Sequence, residues 1–200
     1  MQKLFFLVVG VLTPFCFAAV EVDDNYVIRE SSSSSYKVES QGLAFKRERK
    51  IGLGISTAGA LGLVGINAEI NFTPQTSFMG GFGVGDSYQS FALQMKHSIG
   101  GRWFVPYVGA GYARWFTVGE SDGRINETSP GFLAERFLDD GERSSGQFSE
   151  NLIYPMGGVQ YFQLRGKYTG LSLYAQVMML LDIDQFNSAP TGEFGVFYYF

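Results

Sequence analysis

The stretch formed by residues 190–200, PTGEFGVFYYF, constrains the fold of this 200-residue chain most strongly. In a β-strand successive side chains point to opposite faces, so residues two positions apart share a face. One face of this stretch is wholly apolar or aromatic, and Glu193 begins the other face. The pattern predicts a strand with an apolar outer side. The members of the apolar face are Phe194, Val196, Tyr198 and Phe200.

The amino terminus is expected to be a cleaved secretory signal over residues 1–18. Lys3 supplies the positive start, residues 4–12 form the apolar core, and a small-x-small motif ends at Ala18. The apolar run is shorter than the roughly 20 residues that a membrane-spanning helix needs. Cys16 is the single cysteine, so the mature chain is expected to have neither a disulfide nor a thiolate metal ligand.

Residues 19–50 are predicted to be a flexible periplasmic leader. They contain five consecutive serines at 31–35 and little apolar content, which is too little burial to offset the entropy of ordering. A peptide-binding arm is the alternative for this segment. Four basic residues at its end leave two interpretations open, a collar that meets anionic phospholipid head groups or a solvated run of charge. These are Lys46, Arg47, Arg49 and Lys50.

From residue 51 onward the apolar side chains recur with a period of two, most clearly at residues 64–72. Apolar Val64, Ile66 and Ile70 alternate there with polar residues such as Asn67 and Glu69. Apolar-out and polar-in alternation is typical of a lipid-facing barrel strand. No later segment approaches 18 continuous apolar residues, so a closed barrel is the only membrane-spanning fold that satisfies the backbone.

The complete pattern predicts an all-β fold over residues 51–200, an eight-stranded antiparallel up-and-down transmembrane β-barrel. For strand five we favour the register that points Val108, Ala110 and Tyr112 outward and leaves Arg114 at the membrane rim. Aromatic residues at strand ends are predicted to form the interfacial girdles. The predicted strands cover residues 51–57, 64–72, 78–85, 88–98, 102–116, 152–163, 168–181 and 190–200. The predicted girdle residues are Trp103, Phe104, Trp115, Phe116, Tyr154 and Tyr168.

The interior of an eight-stranded barrel is about wide enough for side chains to fill. The inward positions predict a polar core made of Glu69, Lys96, Glu193, Gln94 and Gln176. Buried charges must pair to be tolerated, so we predict a contact of Lys96 with Glu69 or Glu193. A narrow pore is the alternative to a filled interior.

Residues 117–150 form the one long connection, and a loop of this length is usually functional. It contains eight acids and three arginines, and we predict that it is extracellular and contacts a ligand. Ser129, Pro130 and Gly141 predict the start and the end of a short helix within it. Its acids offer oxygen ligands to Ca²⁺ or Mg²⁺, but a solvated surface is favoured and no metal site is predicted. Those acids are Glu120, Asp122, Asp139, Asp140 and Glu142.

Over residues 51–200 the chain resembles the small eight-stranded outer-membrane barrels, the group of the OmpA-like transmembrane domain and the opacity-type adhesins. The terminal FGVFYYF and the phrase PYVGAG at residues 106–111 carry the resemblance. It implies location in the bacterial outer membrane, contact with its lipids, and a structural or surface-interaction role. It also implies that the apolar face of residues 194–200 is an assembly signal read by the barrel-assembly machinery.

Some barrels of this size are lipid-modifying acyl transferases or deacylases, which makes His97 and Ser98 the pair to consider for an enzyme. Adjacent strand residues point to opposite faces, so the two side chains are not expected to converge. We therefore predict neither a catalytic residue nor a cofactor. Removal of Lys3 with the signal changes the formal net charge from −4 to −5, which disfavours nucleic-acid binding.

Overall fold

Eight antiparallel strands and two short helices dominate the part of the chain that the computed structural model describes, residues 40–85, 88–117 and 136–200. The predicted signal peptide and most of the predicted leader lie outside these residues. The elements are α1 (Gln41–Glu48), β1 (Ile51–Ala58), a 3₁₀ turn (Gly59–Leu61), β2 (Val64–Asn71), β3 (Thr76–Val84), β4 (Gln89–Ser98), β5 (Phe104–Phe116), α2 (Asp140–Ser145), β6 (Ser149–Phe162), β7 (Leu171–Asp182) and β8 (Ser188–Tyr199).

Each strand pairs with the next one and β8 pairs with β1, so the sheet closes into a barrel. At this seam Gly52 pairs with Tyr199 and Ala58 pairs with Glu193. The backbone N–H of Phe200 donates to the carbonyl of Ile51 at 2.9 Å, which extends the ladder to the last residue. The predicted all-β, eight-stranded antiparallel fold is confirmed, including closure of the terminal stretch against the first strand.

The up-and-down order places the connections at two ends of the barrel. The β2–β3, β4–β5 and β6–β7 connections share one end with the residues that precede β1 and follow β8; we call it the α1 end. The other connections, including the described residues 117 and 136–148 between β5 and β6, lie at the opposite end.

Apolar side chains cover the outer wall and polar ones point inward. Ile66, Phe82 and Val177 are 65%, 68% and 70% exposed, whereas Glu69 and Lys96 are 0% exposed. A water-soluble domain has the reverse arrangement, because burial of apolar surface drives its folding.

The register of β5 is the one favoured from the sequence. Val108 points outward and is 51% exposed, whereas Val105 and Tyr107 point inward and are buried. Arg114 lies near the end of the strand, where its Nε and Nη2 atoms donate to Ser149 Oγ at 3.1 and 2.9 Å. The predicted outward register of strand five is therefore confirmed.

Two of the predicted girdle aromatics lie inside the barrel instead. Trp115 and Tyr154 are 3% and 1% exposed because both occupy inward positions of their strands. Gly111 leaves the space for Tyr154, since a Cβ at this glycine would lie 2.4 Å from the tyrosine Cζ. Phe104 and Tyr168, by contrast, are exposed as predicted.

The prediction of a flexible leader up to residue 50 is wrong for its end, because Gln41–Glu48 form α1. Gly42, Phe45 and Lys46 are spaced as a single helix face, and all three are buried. Lys46 therefore does not belong to an exposed basic collar. Among the described residues, no helix is both long and apolar enough to cross a bilayer.

The long connection ends at residue 148 rather than 150, because β6 begins at Ser149. The start of the helix predicted within it, at Ser129 and Pro130, lies outside the described residues. Gly141, predicted to follow that helix, instead lies inside α2. Asp139 caps α2: its side chain accepts from the backbone N–H of Glu142, and the Glu142 side chain accepts from the backbone N–H of Asp139.

The interior of the barrel next to β3 requires glycine at position 83. A Cβ added to Gly83 would lie 2.0 Å from the Leu61 carbonyl oxygen, whereas one added to the outward Gly80 would lie 3.2 Å from Leu93 Cδ2. We expect Gly83→Ala to lower the free energy of unfolding by about 1–3 kcal/mol through overpacking. Gly80→Ala is the matched control and should change it little. Urea unfolding in detergent micelles measures both variants, and equal losses would contradict this account of the packing.

Candidate functional site

Three charged side chains meet inside the barrel near the α1 end. Lys96 Nζ donates to Glu69 Oε2 at 2.9 Å, and Lys46 Nζ lies 3.4 Å from the other carboxylate oxygen. Glu69 and Lys96 reach the interior because they occupy inward positions of β2 and β4, whereas Lys46 enters on α1. The predicted contact between Lys96 and Glu69 is therefore present. A charge withdrawn from water depends on such partners, so these three residues form one electrostatic unit.

Both lysines of this unit have further partners. Lys96 Nζ lies 5.1, 4.8 and 5.6 Å from the ring centroids of Tyr107, Tyr174 and Phe197, within reach of cation–π attraction. Lys46 Nζ donates to Ser98 Oγ at 3.0 Å. Burial lowers the pKa of Lys46, and the neighbouring Glu69 carboxylate opposes that change.

A second group of polar side chains continues along the interior from Glu193. Its carboxylate accepts from Tyr174 Oη at 2.5 Å and from Gln176 Nε2 at 3.1 Å. Gln176 Nε2 also donates to Gln94 Oε1 at 3.3 Å, and Gln176 Oε1 accepts from Tyr107 Oη at 2.9 Å. All five residues predicted for the polar core thus lie inside the barrel. Among the described residues Lys96 and Glu193 form no ion pair, but both contact Tyr174.

The helix α1 is held inside its end of the barrel by backbone as well as side-chain contacts. The backbone N–H of Gly42 donates to the Gly101 carbonyl at 3.0 Å, and that of Gly101 donates to Ser40 Oγ at 3.1 Å. The Phe45 ring packs 5.8 Å from that of Tyr199, centroid to centroid. Sequence reasoning missed this helix, although the run Leu43-Ala44-Phe45 supplied a weak apolar signal.

At the opposite end the 3₁₀ turn Gly59–Leu61 folds into the barrel. Trp115 Nε1 donates to the Ala60 carbonyl at 2.7 Å, and Ser90 Oγ donates to the Leu61 carbonyl at 2.9 Å. These bonds satisfy carbonyls that the turn withdraws from water. Phe137 of the long connection packs edge-on against Trp115, with the ring centroids 6.1 Å apart. The turn and the connection therefore contribute to one apolar cluster at this end.

Carboxylates also gather at the opposite end. Glu150, Asp182 and Asp184 each place a carboxylate oxygen within 4.8 Å of the others. Asp182 accepts from the backbone N–H groups of Asp184 and Gln185, which accounts for the turn after β7. Of the loop acids considered as cation ligands from the sequence, Glu120 and Asp122 lie outside the described residues.

His97 and Ser98 point to opposite faces of β4. His97 is exposed on the outer wall, whereas Ser98 is 1% exposed in the interior and accepts from Lys46. A nucleophile and its general base must lie within hydrogen-bond reach, and these two side chains do not converge.

The apolar face of β8 lies on the outer wall. Phe194, Tyr198 and Phe200 are exposed there, and Val196 is half-buried between Ile55 of β1 and Leu173 of β7, its register partners. The rings of Tyr198 and Phe200 are in edge contact, 5.2 Å between centroids.

No protein-family model matches this sequence, and no curated protein is recognisably similar to it. Among solved structures, the N-terminal β-barrel domain of Pseudomonas aeruginosa OprF aligns with a TM-score of 0.52 at 14% identity, over 76% of this chain and 98% of that domain. Ail, the attachment invasion locus protein of Yersinia pestis, aligns with a TM-score of 0.36 at 13% identity, over 76% of this chain and 97% of that one. The OprF likeness shows a shared barrel fold, which agrees with the resemblance seen in the sequence.

Glu69 is the carboxylate on which the interior charges depend. We expect Glu69→Gln to lower the free energy of unfolding by about 3–5 kcal/mol, because it leaves two buried lysines without an anion. Glu193→Gln is the matched control, and its loss should be smaller because the amide keeps one acceptor oxygen for these neutral donors and removes no ion-pair partner from either lysine. Urea unfolding in detergent micelles compares the two variants. A larger loss for Glu193→Gln would contradict the assignment.

Proposed function

We propose that this protein is an integral β-barrel of the bacterial outer membrane with a structural or surface-interaction role, and that side chains close its interior. The inverted polarity of the barrel carries the proposal. Ile66, Phe82 and Val177 are largely exposed on the outer wall, where water would make their exposure unfavourable and lipid would not. The closed ladder satisfies the strand backbone without water, which a bilayer requires.

The filling of both ends supports a closed interior. Phe45 and Lys46 of α1 occupy one end, and Ala60, Leu61 and Trp115 occupy the other. Between them lie the hydrogen-bonded residues around Glu193. Eight strands enclose little more than the volume of these side chains.

The connection of residues 117–148 is proposed as the extracellular contact surface. Its described part combines buried Phe137, Leu138 and Phe148, which anchor it to the barrel, with exposed Asp139 and Asp140. An anchored loop with exposed charges suits recognition of an external ligand. The assembly role of the outward residues of β8 and contact with the barrel-assembly machinery belong to the same proposal.

A narrow pore is the second candidate, and one observation favours it. Within the described residues, neither amide atom of the buried Asn67 side chain has a hydrogen-bond partner, nor does Gln160 Oε1. Buried polar atoms of this kind are commonly satisfied by water. A lipid-modifying enzyme has less support, because the His97 and Ser98 side chains diverge.

Reconstitution distinguishes these possibilities. The folded protein should migrate differently in detergent gels before and after heating, because an intact barrel resists unfolding by detergent. In planar bilayers it should produce no sustained open channel, because both ends are filled. Observation of long-lived channels would contradict the closed interior and favour the narrow pore, while leaving the barrel fold unaffected. Solubility without detergent together with a lack of heat-modifiable migration would refute the membrane location.

Deletion of Phe200 tests the assembly role of β8. This ring is 63% exposed on the outer wall, so the deletion removes little interior packing and only one hydrogen bond of the ladder, that of Phe200 with Ile51. We expect the amount of folded protein in the outer membrane to fall several-fold, whereas the stability of the molecules that do assemble changes little. Phe186→Ala is the control, because this exposed aromatic lies in the β7–β8 connection. Normal membrane insertion of the deletion variant counts against the assembly signal.

A further inference from the structure

A continuous apolar groove of about 770 Å³ runs across the outer wall over β5, β6, β7, β8 and β1. One side is a row of register partners that begins at Phe104 and ends at Ile55. The other side contains Phe194. The small side chain of Ala175 forms the floor of the groove between the bulky residues. Neighbouring side chains on the outer face of the sheet thus form a groove that crosses the strands.

The groove starts at the rim of the barrel and rises along the wall. Phe104 is the first residue of β5, next to the β4–β5 connection at the α1 end, whereas Ile55 is the fifth residue of β1. Five strands spaced about 4.8 Å apart give a length of about 19 Å. Strands of such barrels tilt by about 35–45°, so the groove climbs about 11–14 Å. This is close to one leaflet of a hydrocarbon core about 30 Å thick.

Aromatic rings line the rim end of the groove. Trp103 stacks on Tyr161 with the ring centroids 6.4 Å apart and the planes at 16°, and Phe104 lies 5.3 Å from the same tyrosine. Trp and Tyr are enriched at the level of lipid head groups, because an apolar ring and a polar edge both find partners there. The rim end is therefore built like an interface between hydrocarbon and water.

Three basic residues belong to the connections next to these rings: Arg102 precedes Trp103, and Arg165 and Lys167 lie in the β6–β7 connection that follows Tyr161. The Arg102 guanidinium carbon lies 5.9 Å from the Trp103 ring centroid. Tyr161 Oη donates to Gln163 Oε1 at 2.6 Å, and Gln163 Nε2 donates to the Arg165 carbonyl at 2.7 Å, so the β6–β7 connection adjoins the same ring. Within the described residues neither arginine forms a salt bridge, nor does Lys167 of the same connection.

We propose that this groove binds an acyl chain of an anionic glycerophospholipid, whose head group lies among Arg102, Arg165 and Lys167. The inference rests on the proposed function, since the outer wall meets lipid only in a membrane. Charge complementarity selects the head group, because basic residues at a membrane surface attract anionic lipids. A second apolar depression, of about 480 Å³ around Ala68 and Gly80, lies away from these cations and provides an internal comparison.

Native mass spectrometry of the full chain, purified in detergent, tests the proposal with phosphatidylglycerol and phosphatidylcholine of identical acyl chains. We expect one retained lipid per barrel and a preference for phosphatidylglycerol. The triple variant Arg102→Gln, Arg165→Gln, Lys167→Gln should weaken phosphatidylglycerol binding by about tenfold or more. Its control is Arg114→Gln, Arg136→Gln, Arg143→Gln, which removes three charges elsewhere and should leave the preference intact.

Filling the groove tests the acyl-chain part. Ala175→Phe should weaken the binding of both lipids, whereas Ala68→Phe, which fills the second depression, should not. If Ala175→Phe does not fold, Ala175→Leu takes its place, with Ala68→Leu as its control. An unchanged preference in the first triple variant overturns the head-group assignment, and equal effects of the paired Ala175 and Ala68 variants overturn the groove. Heat-modifiable migration of the unmodified chain is recorded separately, so failure of the barrel proposal is not mistaken for failure of lipid binding.

Discussion

Closure of the hydrogen-bond ladder between β1 and β8 is the constraint on which the rest of the structure depends. Once Gly52 pairs with Tyr199 and Ala58 with Glu193, the barrel has no strand edge in need of a partner. Closure also divides every strand into an inner and an outer face, because side chains alternate with a period of two. The outer face is then free to be apolar throughout, and all charges on the strands must be accommodated inside the barrel or at its ends.

The interior meets this requirement with matched charges and shared hydrogen bonds rather than with a purely apolar core. Glu69 forms ion pairs with two lysines. Aromatic rings contact Lys96 in place of further anions, whose burial would cost additional desolvation. Glu193 is instead held by neutral donors. The two carboxylates therefore differ in kind: one is part of an ion pair on which the charges depend, and the other anchors a hydrogen-bonded network.

The strands were predictable from the sequence because alternation over a closed sheet leaves little freedom. The inward placement of Glu69, Lys96 and Glu193 follows from their positions in the alternation of inward and outward residues alone. Trp115 shows where residue type misleads, because a tryptophan near a strand end indicates an interfacial girdle. Its inward position in the alternation and its hydrogen bond to the Ala60 carbonyl instead place it inside the barrel. The 3₁₀ turn and α1 are not governed by alternation. Their positions depend on long-range contacts, such as that of Gly42 with Gly101, which leave almost no local signal.

Lys46 explains why α1 was not predicted from the sequence and why the helix occupies one specific position. A lysine next to Arg47 and Arg49 looks like surface charge, yet it shares a helix face with Gly42 and Phe45. An apolar side chain would avoid the desolvation of a buried charge, but it would fit any apolar patch in the interior. Lysine fits only where a carboxylate and hydroxyls converge, which here means Glu69, Ser77 and Ser98. The ion pair thus selects one depth and one rotation for the helix, and the absence of a side chain at Gly42 allows the close approach to Val105 that this placement requires.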